Sequence, residues 1–417
     1  MAQPSSKRAC TTATAADGDG GGTDRLSALP DALLHSVMRF LPARQAVRTS
    51  ALSRRWRDLW RRMPCLDVDH QQFRRRGDTI SMAWTRFEDF TANLLMHHRA
   101  PVLDRLRLCA IGEPRDLYRW VRRGISYRPV ELDLDLKVPG SYPLIRLPPL
   151  GLGPARRLRT LRLRRLSLGA GFADDLRSRC PVLEDLELWD CNCEFREIVS
   201  ATLKRLAIEC SSDHEYGDGG RPLSVTAPAL ASLRLAFSEC TNPRVFLLNN
   251  GAESVLRASI NGCNEFMDGD LFRLLSSLCS VKTLELCRFS YPNAKLRNEE
   301  KEMFPKLNNL TTLLLANCDM SKRFDILELF LQNAPSLKKV TLQHCTYPEL
   351  IRKKGAPRKI IPPQYRKLVS LESHDLNLIE IKYKDGNTNN LFRLLMSIRT
   401  RLLKNTIVLI KDKGPTL

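Results

Sequence analysis

The amino-acid sequence predicts an α/β architecture: a short three-helix unit near the N terminus, then a curved array of strand-bearing repeats, then a strand-helix-strand cap. Two patterns predict it. Between residues 24 and 60, three short apolar stripes are punctuated by proline and serine, and from residue 103 to residue 342 the spacing L-x-x-L-x-L keeps returning. The composition agrees. A length of 417 residues exceeds one ordinary core, and 43% hydrophobic with 27% charged residues is the balance of a folded, water-soluble chain.

Residues 1–23, MAQPSSKRACTTATAADGDGGGT, contain no apolar run of the kind a secretory signal requires and read as a disordered tail. The helical unit follows over residues 24–65. In its first helix Pro30 occupies a tolerated first-turn position, Asp31 complements the positive helix end, and Leu33, Leu34, Val37, Phe40 and Leu41 fall at helical spacing until Pro42 stops the run. A second helix carries Ala46, Val47 and Leu52. Ser53 is placed to cap a third, with Trp56, Leu59 and Trp60 at i, i+3 and i+4. So few residues bury too small a fraction of their surface to stand alone, so the unit needs a partner, either the downstream chain or a second protein.

The succession Leu29-Pro30, Leu33-Leu34, Phe40-Leu41, Ala46-Val47, Ser50, Leu52-Ser53, Trp56 and Leu59-Trp60 resembles the F-box along the whole motif. The resemblance implies docking onto a Skp-type adaptor, and through it onto a cullin scaffold. Carried over position by position, adaptor contacts fall on Leu29, Pro30, Leu33, Leu34, Leu41, Val47, Leu52, Trp56, Leu59 and Trp60. Ala32 departs from the pattern, which often has an acidic residue there, so a minor polar contact is missing.

Residues 66–350 carry the repeats. Leu158/Leu161/Leu163, Leu183/Leu186/Leu188, Leu203/Leu206/Ile208, Leu230/Leu233/Leu235, Val281/Leu284/Leu286, Leu310/Leu313/Leu315 and Leu337/Val340/Leu342 fit the unit, with weaker copies at Leu103/Leu106/Leu108, Leu132/Leu134 and Val255/Ala258/Ile260. Successive central residues lie 20 to 29 positions apart. Four copies place a cysteine three residues after the last apolar position, at Cys191, Cys263, Cys318 and Cys345, where leucine-rich repeats turn an Asn or Cys inward. These thiols are therefore expected to be buried.

Such repeats stack into a solenoid whose parallel sheet lines the concave face. Two-residue alternation then points Arg162, Arg164, Glu187, Trp189, Arg234, Glu285, Thr341 and Gln343 away from the core, and these are the candidate target contacts. Trp189 is either an anchor for a target or partly covered by a loop. Between the helical unit and the repeats, Trp84, Phe87, Phe90 and Leu94 mark a helix ending at His97-His98.

The Gly- and Asp-rich stretch 211–222 reads as a loop, with His214 solvated inside it, and residues 351–368 as a basic, proline-containing linker. The last segment, 369–417, offers an alternation at Leu376/Ile379/Ile381, a Gly386-Asn387 turn, a helix over 390–403 and a strand at 406–410. Together with the F-box and the repeats, it resembles the plant F-box/leucine-rich-repeat proteins, many of which end in an FBD-type domain, although the acidic and Phe positions usual in that helix are replaced here.

Function classes can be excluded on chemistry. No nucleophile elbow, phosphate-cradling glycine loop or H-E-x-x-H occurs, so no catalytic residue and no cofactor are expected. Thirteen cysteines without a C-x-x-C pair predict reduced thiols and no metal site. No run approaches the roughly 18 apolar residues of a membrane span. A net charge of +20 raises nucleic acid as a partner, but the arginines are scattered without aromatic interleaving, and a solvated surface or an acidic protein partner fits better. The expectation is a substrate receptor of a ubiquitin ligase, in nucleus or cytoplasm, binding an unidentified protein target. The alternative is a repeat scaffold that acts without degrading what it binds.

Overall fold

The structure, a computed structural model, describes residues 28–139, 143–150, 156–210, 223–238, 246–249, 254–263, 270–288, 304–318, 325–346, 376–383 and 406–411. The N-terminal tail, the 211–222 loop with His214, the 351–368 linker, the Gly386-Asn387 turn and the 390–403 helix lie outside them.

The chain is α/β, with a helical N-terminal unit and a strand-rich remainder. The unit holds two α-helices, Asp31–Met38 (α1) and Ala43–Arg48 (α2), each beginning directly after a proline whose fixed φ suits the entry. The expected third helix is not an α-helix. Residues 54–58 are turns, followed by a 3-10 helix at Leu59–Arg62, with another at Thr49–Ala51. One cause is local: a segment this short gains too few hydrogen bonds to offset helix nucleation. The other is tertiary, since Arg55 reaches back to Asp31 at 2.9 Å and His35 Nε2 lies 3.1 Å from the Leu59 carbonyl oxygen.

Thirteen parallel strands then form one sheet: Cys65–Asp69 (β1), Arg105–Ile111 (β2), Glu131–Lys137 (β3), Thr160–Arg164 (β4), Asp185–Trp189 (β5), Arg205–Cys210 (β6), Ser232–Phe237 (β7), Arg257–Asn261 (β8), Thr283–Cys287 (β9), Thr312–Ala316 (β10), Lys339–Gln343 (β11), Leu378–Tyr383 (β12) and Thr406–Lys411 (β13). Each pairs with the next in the chain, the order a tandem repeat dictates. The register follows the apolar spacing: Leu66, Leu106, Leu132, Leu161, Leu186, Leu206, Leu233, Ala258, Leu284, Leu313, Val340, Ile379 and Ile407 form one column. The column is buried through Ile379, and it joins the buried residues of the helical unit in one continuous core.

Six of the strands close with a left-handed turn. Arg165, Asp190, Gly262, Arg288, Asn317 and His344 all have φ between 51° and 82°. Their backbone N–H groups donate to carbonyls of the following strand, for instance Asp190 to Glu209 at 2.8 Å and Asn317 to Gln343 at 2.8 Å. The next residue is thereby turned inward. Cys191, Cys263 and Cys318 are buried there and Cys345 half-buried, their thiols donating to carbonyls such as Leu163 O (3.4 Å) and Ala316 O (3.3 Å). Burial pushes the Cys191 and Cys263 thiols up to about 12, which keeps them protonated and unreactive.

At Gly262 the turn leaves no room for a side chain, because a Cβ there would stand 2.0 Å from the Phe237 carbonyl oxygen. Gly262→Ala is expected to cost about 1–3 kcal/mol, the scale of a strained backbone position, and to lower the urea midpoint without changing the slope.

On the outer side the repeats carry helices Ile80–His97 (α3), Pro114–Ser126 (α4), Phe172–Arg179 (α5), Asp270–Ser276 (α6) and Asp325–Asn333 (α7). In the middle repeats, short strands also contribute: Glu197–Val199, Leu223–Thr226 and Phe246–Asn249 form one small parallel sheet, and Ile145–Arg146, Leu166–Leu168 and Asn192–Cys193 another.

His98, just past α3, locks the helical unit to the sheet. Its Nε2 lies 3.0 Å from the Met63 carbonyl oxygen, its ring meets Tyr127 edge-on, and its Nδ1 is buried without a partner. Burial holds the imidazole below its ordinary value of 6.5. The unfolded chain therefore takes up a proton near 6.5 while the folded chain resists until lower pH, so stability falls as pH drops through that window and is unaffected by His98 above it. The melting temperature is expected to fall between about pH 7.5 and about pH 5.5, and His98→Phe to shrink that fall.

Candidate functional site

The helical unit has two faces. Inward, Leu34, Met38, Ala43, Ala46, Trp56 and Leu59 are buried in the core that continues into β1. Outward, Leu33, Val37, Phe40 and Leu52 are 51%, 47%, 80% and 67% exposed. Leu33 and Val37, at i and i+4, share one side of α1, and Phe40 is exposed in the turn just after it. Arg39 leans over the Phe40 ring at 5.9 Å.

Of the ten positions expected to meet an adaptor, Pro30, Leu33 and Leu52 are exposed, and Leu29, Leu41, Val47 and Trp60 are half-buried against the core. Leu34, Trp56 and Leu59 are enclosed by the chain itself. A helix turns about 100° per residue, so adjacent Leu33 and Leu34 diverge, one to solvent and one to the core. Val37 and Phe40, which the spacing assigned to the helix's own apolar stripe, are on the open side instead.

The second candidate surface is the open face of the sheet. Across β1 to β5 the outward column reads Asp67, Arg107, Asp133, Arg162, Glu187, with charges alternating in register. Arg107 lies 3.0 Å from Asp67 and 3.9 Å from Asp133, and Arg162 lies 3.1 Å from Glu187. Burial pushes the Asp133 carboxyl up, against the neighbouring Arg164 and Arg107 that pull it down. In the next column Arg164 lies 3.8 Å from Asp135 and stands 3.5 Å from the centre of the Trp189 ring. Trp189 is thus half-buried beneath an arginine rather than bare.

Beyond β5 the face opens. The column continues Ala207, Arg234, Ser259, Glu285, Leu314, Thr341. Arg234 is exposed between small neighbours, with Glu209 at 4.0 Å. Thr341 is buried rather than offered, its hydroxyl donating to Glu380 at 3.2 Å; the Lys339 ammonium, bonded to the same carboxylate, holds it below the usual range. Gln343 and Glu285 are half-buried.

One group with ligand-type side chains is brought together that sequence spacing could not show, because Asp69 and His70 at the end of β1 meet Cys109 on β2 through strand pairing, their ligand atoms within 4.8 Å of one another. Arg107 lies 3.7 Å from Asp69, and burial followed by the Asp69 charge pushes the Cys109 thiol up. A bound cation would have to compete with that guanidinium and deprotonate that thiol. Among the described residues no helix is long and apolar enough to cross a membrane.

Comparison with known proteins places these features. The F-box domain profile matches residues 26–67. A rice protein, MEIOTIC F-BOX protein MOF of Oryza sativa subsp. japonica, is 33% identical over 88% of this chain and 82% of its own length. An F-box/LRR-repeat protein of Arabidopsis thaliana is 32% identical over 65% of this chain and 92% of its own, and an Arabidopsis F-box/FBD/LRR-repeat protein is 28% identical over 80% and 79%. With the helical unit, the repeat register and relatives aligned over most of both chains, the protein belongs to the plant F-box/leucine-rich-repeat family.

Proposed function

We propose that the chain is the substrate-recognition subunit of a Skp-cullin-F-box ubiquitin ligase. An F-box substrate-adaptor role in general goes with the family; the finer assignment rests on the exposed apolar stripe Leu33, Val37, Phe40 and Leu52. A folded chain seldom leaves large side chains this open on one small unit unless a partner covers them. Residues 24–65 dock the adaptor through that stripe with Pro30 and the half-buried Leu29, Leu41, Val47 and Trp60 at its rim. Residues 66–350, a curved solenoid capped by 369–417 beyond a 351–368 linker, present the target face.

On that face the ion pairs of β1 to β5 stiffen the sheet more than they attract a target, because each charge is already answered. Arg234, with Glu285 and Gln343 further along, is the more available contact; Arg162, Arg164, Glu187 and Trp189 contribute as a preformed surface. Catalysis belongs to the conjugating enzyme that the cullin brings, and this chain supplies proximity. No cofactor enters that role, and it suits either nucleus or cytoplasm.

The test is co-purification of the full-length chain with a Skp-type adaptor and a cullin. A stoichiometric complex that ubiquitinates proteins captured by the repeats supports the reading. Failure of the folded chain to bind the adaptor would sink it.

A further inference from the structure

We propose that the cleft between α4 and the short strand Ile145–Arg146 is a binding site for a small organic phosphate of the nucleotide class. The cleft lies on the outer, helical side of the sheet, away from both surfaces discussed above. Its volume is about 580 Å³, within the range of sites for small ligands.

Its lining sets the ligand's chemistry. Arg115, Arg119 and Arg122 from α4 and Arg146 from the facing strand border it, and none of its nine lining residues is acidic. The α4 positions fall at i, i+4 and i+7, so one side of the helix presents them together, with Tyr118 between. Arg119 has Asp116 at 3.8 Å. Arg115, Arg122 and Arg146 have no acidic partner among the described residues, in marked contrast to the arginines of β2 and β4 on the open face.

Arg146 is also positioned. Its guanidinium lies over Gly169, where a Cβ would stand 2.4 Å from Nη2, so the absence of a side chain at 169 makes room for it. Four arginines border one cleft and three of them have no acidic partner among the described residues, so an anion entering it would accept several charge-assisted hydrogen bonds. Inorganic phosphate alone would leave most of the volume unused. The remaining wall is apolar: Pro114, Pro143, Leu144, Ile145 and the partly exposed ring of Tyr118, a surface for a flat, weakly polar body such as a base.

The full-length protein would be examined by equilibrium dialysis with ATP, tripolyphosphate and adenosine as separate probes. The site predicts saturable ATP binding tighter than either partial probe. Arg119→Ala and Arg146→Ala should each weaken it about tenfold, the scale of one charge-assisted hydrogen bond. Gly169→Ala should act in the same direction by displacing Arg146. Tyr118→Ala should weaken ATP but not tripolyphosphate. Arg177→Ala, which removes an exposed arginine of α5 paired to Asp174, should change nothing. Four of the five are exposed and Gly169 is half-buried, and an unchanged urea midpoint confirms that folding is intact.

Any of four outcomes overturns the proposal: no saturable binding; binding unmoved by Arg119→Ala and Arg146→Ala; ATP and tripolyphosphate bound equally and weakened equally by Arg177→Ala, which would mark general attraction to a chain of net charge +20; or an RNA oligonucleotide displacing ATP with a steep salt dependence, which would mark a nucleic-acid surface.

Discussion

Aspartate at both Leu33 and Leu52 is expected to abolish capture of a Skp-type adaptor while leaving the urea unfolding midpoint of the full-length chain where it was. Both side chains already face water, so a carboxylate there costs the folded monomer little. In a complex each would otherwise be buried, at about 1.5–3 kcal/mol per side chain, and the substituted carboxylates would instead be desolvated. Losing the apolar terms alone weakens binding by about a hundredfold or more. The contrast is with Leu34→Asp or Trp56→Asp, which place a charge inside the continuous core. Those variants should lose the adaptor too, but with a lowered unfolding midpoint, so they report on folding and not on docking. Co-purification read beside the midpoint separates the two cases. A Leu33→Asp, Leu52→Asp protein that still captures the adaptor would refute this docking face.

That contrast also marks the limit of what the residues say before they fold. The motif's identity was legible, since its apolar and proline positions run in order; the division of those positions between core and partner was not. Leu33-Leu34 is a pair of identical letters on opposite sides of one helix. Trp56 carries an amphipathic signal that suits either surface, and the neighbouring 3-10 turn arises from contacts such as His35 with Leu59, which have no local signature. For the sheet the reverse holds. A two-residue alternation fixes which face of a strand is apolar, and a near-constant period leaves one way to stack the strands, so the register from Leu106 to Val340 follows from spacing. β1 escaped because Met63, Leu66 and Val68 fill the repeat positions with a methionine first and stand far from the next copy, across α3. The left-handed turns escaped for a different reason: five of the six residues that form them are not glycine, and their φ is held by a hydrogen bond to the next repeat. The arginine cleft escaped as well, because Arg146 joins the arginines of α4 only through the fold.

Leu284→Ala, in the middle of the sheet, is expected to be among the most damaging conservative truncations, at about 2–5 kcal/mol. Leu284 is fully buried and stacks between Ala258 on β8 and Leu313 on β10. Ala258 is already small, so truncating its neighbour joins two shortened positions into one void. The backbone cannot collapse to fill it, because β9 is hydrogen-bonded on both sides and Arg288 at its end is tied to Ala316. Leu409→Ala is the control: it sits in the equivalent apolar alternation on β13, at the sheet edge, and is 40% exposed, so its loss should cost under about 1 kcal/mol. In an array whose units contact only their neighbours, a central void weakens two interfaces and an edge truncation at most one. Urea unfolding should therefore shift far more for Leu284→Ala than for Leu409→Ala, and amide exchange should accelerate first in β8, β9 and β10. Equal midpoints for the two variants would mean that the repeats unfold independently of the packing between β8 and β10, and that the continuous core is not what couples them.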